Sequence, residues 1–331
     1  MSRSLAWTLF PTMTVVSLAS SAVLVARLER VAARLGLREA TLGLVAALAA
    51  DGPEISTAVT GLLRGQREVA VGVVLGSNVF NLAALLGLGA LIAGRIGLHR
   101  DVVVFAGGPA VVVALIAMGA ASAVLVPGLA LGLSLVVLTP YVIVSSLRPS
   151  TLIDLSLPTG FSRRLGQAIS DEEEELREAV HPRPGRPADV AVALVALAVV
   201  IGSSVLLEHA ATAIGGHRVS GIVIGGVVLA AVTSLPNAVA AVYLARRGRG
   251  SAVLSEAVNS NSFNVLFGLL VPAVIIGVSG HSGVALEVAA WNGGLTAVAL
   301  ALAYRGRGLT RVSGAVVVGG YLALVGLLVA R

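Results

Sequence analysis

The chain is 331 residues long, 56% hydrophobic and 12% charged, with a formal net charge of +6 and no cysteine. A soluble domain carries about a quarter charged residues, so this composition, with a mean hydropathy of +0.96, belongs to an integral membrane protein. Disulfides and thiolate metal sites are excluded. All 23 basic residues are Arg lying between apolar segments, which marks membrane topology and argues against a nucleic-acid partner.

A spanning helix needs about 20 mostly apolar residues. In chain order, ten stretches qualify: 5–27, 38–63, 67–93, 102–121, 124–147, 188–211, 218–245, 251–278, 283–304 and 309–330. The first has polar flanks without a small-residue cleavage site and is expected to be a span rather than a signal peptide. Connections are short except 148–187, which carries five prolines and the acidic run Asp171-Glu172-Glu173-Glu174-Glu175 with Glu178. Like-charge runs of this kind form solvated helix faces, and no EF-hand spacing is present. This connection divides the chain into two halves of five spans, 1–147 and 188–331, with 148–187 a cytoplasmic loop. The expected fold is an all-α integral membrane protein.

With both termini outside, 18 of the 23 Arg fall on inner connections; Arg3, Arg64, Arg67, Arg218 and Arg331 remain outside. That split satisfies the positive-inside rule for a multi-pass protein of the plasma (inner) membrane. Five spans per half also means that the second half enters from the opposite side, so the halves are expected to be inverted.

The halves carry one polar pattern twice, 183 positions apart. Ala49-Ala50-Asp51-Gly52-Pro53-Glu54 aligns with Val232-Thr233-Ser234-Leu235-Pro236-Asn237, and, without a gap, Gly76-Ser77-Asn78-Val79-Phe80-Asn81 aligns with Asn259-Ser260-Asn261-Ser262-Phe263-Asn264. Pro, Asn and carboxylates are costly in apolar sequence, and a repeated polar break is the mark of a transporter built from two repeats. Pro53 and Pro236 are expected to break their helices, since Pro has no N–H to donate and clashes with the preceding turn. A break frees backbone carbonyls, which are natural ligands for a hard cation.

Glu54 lies in midspan, and Asp51 one turn earlier can share its cavity. The second copy offers Thr233, Ser234 and Asn237. The following spans add Ser77, Asn78 and Asn81 in one half and Ser260, Asn261 and Asn264 in the other. All of these are oxygen ligands, which suits Ca²⁺, Na⁺, Mg²⁺ or H⁺ and argues against copper or zinc. Glu256 aligns with Val73 and could line the cavity or sit elsewhere. His209 beside Glu208 and His217 beside Arg218 are expected at an outer interface.

With these motifs in hand, the chain resembles the calcium/cation antiporter superfamily, of the sodium/calcium exchanger type, whose repeats read G-T-S-x-P-E and then G-N-x-x-G-S-N-x-x-N/D. The first repeat here keeps Pro53, Glu54, Gly76, Ser77, Asn78 and Asn81; the second keeps Thr233, Ser234, Pro236, Ser260 and Asn261. The resemblance implies a cation site ringed by Glu54, Asn81, Asn237 and Asn264, with carbonyl and hydroxyl oxygens from the two breaks. The chain departs from the pattern at Asp51, where Ser is usual, and at Asn237, where Glu is usual. Asn264 stands where many members have Asp. Both carboxylates of the site thus come from one repeat, and an acid restored at position 237 is expected to raise divalent affinity.

The leading expectation is a secondary antiporter that exchanges Ca²⁺ for Na⁺ or H⁺ by alternating access. The alternative is a monovalent Na⁺ (or K⁺)/H⁺ antiporter, favoured by the missing second-repeat acids. An intramembrane enzyme is remote: Asp51 and Glu54 share one span, and no H-E-x-x-H or Ser/His arrangement is present. No cofactor is expected beyond the transported cations, and the partners are the lipid bilayer and those ions, with the protein a monomer.

Overall fold

The computed structural model describes residues 1–35, 44, 47–147, 166, 170, 185–216, 219–277 and 283–330. The acidic run Asp171–Glu175, Glu178, His217 and Arg218 lie outside these, as does most of the 148–187 connection. The elements in order are α1 (Arg3–Arg34), α2 (Gly52–Leu63), α3 (Arg67–Ala93), β1 (Arg95–Gly97), α4 (Arg100–Ala121), α5 (Pro127–Ser146), α6 (Pro187–Gly215), α7 (Gly221–Thr233), α8 (Leu235–Arg246), α9 (Gly250–Ile276), α10 (Gly283–Gly306), β2 (Gly308–Thr310) and α11 (Arg311–Val329). Among the described residues, eight helices are long and apolar enough to cross a membrane. The α7–α8 pair, bent by 50° at Ser234, makes a ninth when counted as one span.

Burial sorts these helices into centre and periphery. Windows of α3 and α9 are 89% and 72% buried, whereas that of α1 is 17% buried. The centre packs closely because small residues line it, as expected where lipid removes any hydrophobic drive between helices. A Cβ on Gly76 would come within 2.4 Å of the Gly226 carbonyl oxygen, so α3 and α7 meet backbone to backbone.

Around this centre, helices from the two halves pair head to tail. The start of α1 meets the end of α6 through Arg3 Nη2, which donates to the Ile214 carbonyl at 3.3 Å. At the other end, Arg27 Nη1 donates to Asp189 Oδ1 at 2.6 Å. In α4 and α10 the start of one likewise meets the end of the other, with Arg100 Nε donating to the Tyr304 carbonyl at 3.1 Å. A polar tie then holds α6 to the centre. Fully buried Glu208 accepts from Arg64 at the end of α2, and Thr212 Oγ1 donates to Glu208 Oε1 at 3.2 Å. An ionic partner and a hydroxyl donor offset part of the cost of that carboxylate in apolar surroundings.

Two local features have no counterpart in the sequence pattern. β1 and β2 pair antiparallel, Arg95 opposite Thr310, and so bring the α3–α4 and α10–α11 connections to one end of the bundle. Leu82–Leu88 in α3 and Asn264–Leu270 in α9 are π-helical, at nearly equivalent positions of the two halves. A π turn rotates the side chains that follow it, and such turns are frequent at functional sites.

Candidate cation site

The two helix breaks meet the α3–α9 crossing at the middle of the bundle. Residues 47–50 are helical, Asp51 is a turn, and α2 starts at Gly52 with Pro53 in its first turn. In the second half, α7 ends at Thr233 and α8 starts at Leu235, with Ser234 between them. Neither Pro supplies an N–H to the carbonyl four residues earlier, which is why the helix is interrupted at both places. Asp51 occupies the N-cap position of α2 without a side-chain capping bond, and Glu54 sits in its first turn, so both carboxylates lie at the positive end of a helix dipole.

Both carboxylates are completely buried, and each is held by the other half of the chain. Ser234 Oγ donates to Glu54 Oε1 at 2.8 Å. Asn237 Nδ2 and Ser260 Oγ donate to Asp51 Oδ1 at 3.0 and 2.6 Å. Asn81 Nδ2 donates to Ser260 Oγ at 2.9 Å, which joins α3 to the same network. At the crossing itself, Asn78 Nδ2 donates to the Asn261 carbonyl at 3.0 Å and Asn261 Nδ2 donates to the Asn78 carbonyl at 3.1 Å. These residues are 183 apart, so equivalent positions bond each other reciprocally. The offset also carries the Glu54–Ser234 contact onto the Asn237–Asp51 contact.

The amide donors are therefore spent inside the protein, and what remains is acceptors. Asp51 Oδ2, Glu54 Oε2, Ser77 Oγ, Asn81 Oδ1, Asn237 Oδ1 and Asn264 Oδ1 are buried without a hydrogen-bond partner. Six unsatisfied buried oxygens, two of them on carboxylates, would cost several kcal/mol if left empty. A desolvated cation is the ligand that satisfies such a set; an anion or an apolar molecule cannot. Among the described residues, no group of three or more His, Cys, Asp or Glu is arranged to hold a metal ion, so the side-chain donors gathered here are two carboxylates with amide and hydroxyl oxygens.

The expected site residues separate into three roles. Asp51, Glu54, Ser77, Asn81, Asn237 and Asn264 keep an uncommitted oxygen. Asn78 and Asn261 do not: their amide oxygens accept from Asn264 Nδ2 and Asn81 Nδ2, both at 3.4 Å, so they orient the amides of Asn264 and Asn81. Ser234 and Ser260 hold the carboxylates. Thr233 is turned away, its hydroxyl donating to the Leu229 carbonyl of its own helix at 2.9 Å. Glu256, which the sequence left open, lies close enough to Asp51 for their charges to interact. Asn292 was missed. This midspan residue of α10 lines a water-sized cavity with Asn78 and Asn261, and an amide in midspan was the signal that could have found it.

The sequence model of the family described as sodium/calcium exchanger protein matches residues 5–148 and 189–330. No curated protein matches the chain. Solved structures share its fold at low identity. Native YfkE superposes with a TM-score of 0.67 and 16% identity, covering 97% of this chain and 92% of its own. The H⁺/Ca²⁺ exchanger CAX gives 0.67 and 14%, over 98% and 86%. The sodium-calcium exchanger NCX_Mj, soaked with zero Na⁺ and Ca²⁺, gives 0.54 and 20%, over 98% and 99%.

Proposed function

The chain belongs to the sodium/calcium exchanger family, and from that premise we propose that it is a secondary antiporter exchanging Ca²⁺ for H⁺ or Na⁺ across the plasma membrane by alternating access. The observation that carries this reading is the set of six buried, unpartnered oxygens, two of them on Asp51 and Glu54 and the others on Ser77, Asn81, Asn237 and Asn264. Two carboxylates balance one divalent cation. Emptied, they would be two bare charges in apolar surroundings, and sealing them from water is prohibitive unless protons or Na⁺ replace the departing ion. Obligatory exchange follows from that cost.

Ten spans in two inverted repeats complete the proposal, with units 1–147 and 188–331, a cytoplasmic 148–187 loop and both termini outside. The reciprocal Asn78–Asn261 bonds, the exchanged Glu54–Ser234 and Asp51–Asn237 contacts, and the head-to-tail pairing of α1 with α6 and α4 with α10 all support a two-fold relation between halves. The β1–β2 pairing supports one shared side for Arg95, Arg100, Arg307 and Arg311, the side assigned as inner. In this reading the protein acts as a monomer, with no enzymatic chemistry.

The missing second-repeat acids favour a second reading, monovalent Na⁺ (or K⁺)/H⁺ exchange at the same carboxylates. Thermal unfolding of the detergent-solubilised protein separates the two. A ligand at 100 times its Kd stabilises by about 2.7 kcal/mol, a shift of a few degrees. Stabilisation by micromolar Ca²⁺, reversed by Na⁺ or by acid, is the expected result. Stabilisation by Na⁺ without any by Ca²⁺ selects the monovalent reading, and no shift with either ion contradicts both.

A further inference from the structure

Every residue from Gly250 to Phe263 of α9 is buried except Glu256. Glu256 is partly exposed, and a carboxylate facing hydrocarbon is strongly disfavoured, which points to water at this gap in the buried stretch. Glu256 lies six residues, or about 9 Å, inside the end of α9 that packs against β1; there, Gly250 leaves no room for a Cβ beside the Gly97 carbonyl. One turn deeper on the same face is Ser260, whose hydroxyl holds Asp51. The route from the β1 end thus runs from Glu256 to Ser260 to Asp51. At the equivalent position of the other half, Val73 is completely buried and apolar, so that position carries no such opening. We infer that Glu256 lines a water-filled vestibule through which cations reach Asp51 from the β1 end of the bundle. The inference rests on the cation-exchange reading for what passes through, and on the geometry for where it passes.

The chain has no cysteine, so Glu256→Cys introduces a single thiol. In sealed vesicles of each orientation, a membrane-impermeant cationic thiosulfonate should label it from the side bearing Arg95 and Arg311. The rate should be about tenfold or more above that of Val73→Cys, as solvated and packed thiols differ in access. Glu256→Gln, which keeps the side-chain shape, should raise the half-saturating Ca²⁺ concentration about tenfold at that side and leave it unchanged at the other. Labelling from neither side, or no faster than at position 73, overturns the vestibule. So does an equal change in half-saturation at both sides. Labelling reads water access without transport, so its failure leaves the exchange reading standing, and a protein that transports nothing still answers the labelling question.

Discussion

Glu54→Gln is expected to abolish exchange and to leave the protein folded. Gln retains the acceptor for Ser234 Oγ, so the contact between halves survives; what disappears is one of two charges in a fully buried site. At an effective dielectric of about 20, a unit charge a few ångströms from the ion is worth about 4 kcal/mol or more. Even after discounting, Ca²⁺ affinity should fall by at least about 100-fold. Stability should move the other way. The empty site of the unmodified protein holds uncompensated carboxylates, so the variant without cation should unfold at the same temperature or slightly higher. Labelled-ion uptake and thermal unfolding, measured together, check this: retained transport, or a variant that no longer folds, contradicts the assignment of Glu54.

The second large effect concerns the transposed acid. Position 237 is the repeat equivalent of Glu54, and Asn237 Nδ2 donates to Asp51 Oδ1 at 3.0 Å. Asp51 therefore places a carboxylate beside the position that its own half-site symmetry would make acidic. From sequence alone, Asn237→Glu is expected to raise divalent affinity. The contact reverses that expectation, because a second carboxylate would stand against Asp51 and lose a donor as well. Asn237→Glu alone and Asp51→Ser alone should each weaken Ca²⁺ binding by about 10- to 100-fold. The double variant Asp51→Ser/Asn237→Glu, with its charge moved across one hydrogen bond, should recover to within about tenfold of the unmodified protein. Calorimetric titration of the four proteins measures the coupling, and simple additivity of the two losses would refute the transposition.

Much of this site was legible because its signals are local. Pro53 and Pro236 break helices whatever surrounds them, and Asn or Glu in an apolar span is costly enough to announce itself. The constant offset of 183 then aligned the halves. What was not legible depends on which residues meet across the chain. Asn78 and Asn261 read as ligands by spacing, but they bond each other's backbone and orient Asn81 and Asn264 instead. Thr233 offered a hydroxyl that its own helix consumes. Glu208, which the sequence marks only as the neighbour of His209, is a buried partner of Arg64. The π turns after Asn81 and at Asn264 and the short β1–β2 pair leave no hydrophobic periodicity to detect.

Uptake of labelled Ca²⁺ into proteoliposomes, driven by an outward Na⁺ gradient in one arm and an inside-acid pH gradient in the other, tests exchange most directly. The account predicts Ca²⁺ accumulation under at least one gradient, collapse when that gradient is dissipated, and none with Glu54→Gln; the effective gradient names the counter-ion. Ca²⁺ flux that needs no counter-ion gradient, or no cation flux under any gradient from a folded protein, would contradict it.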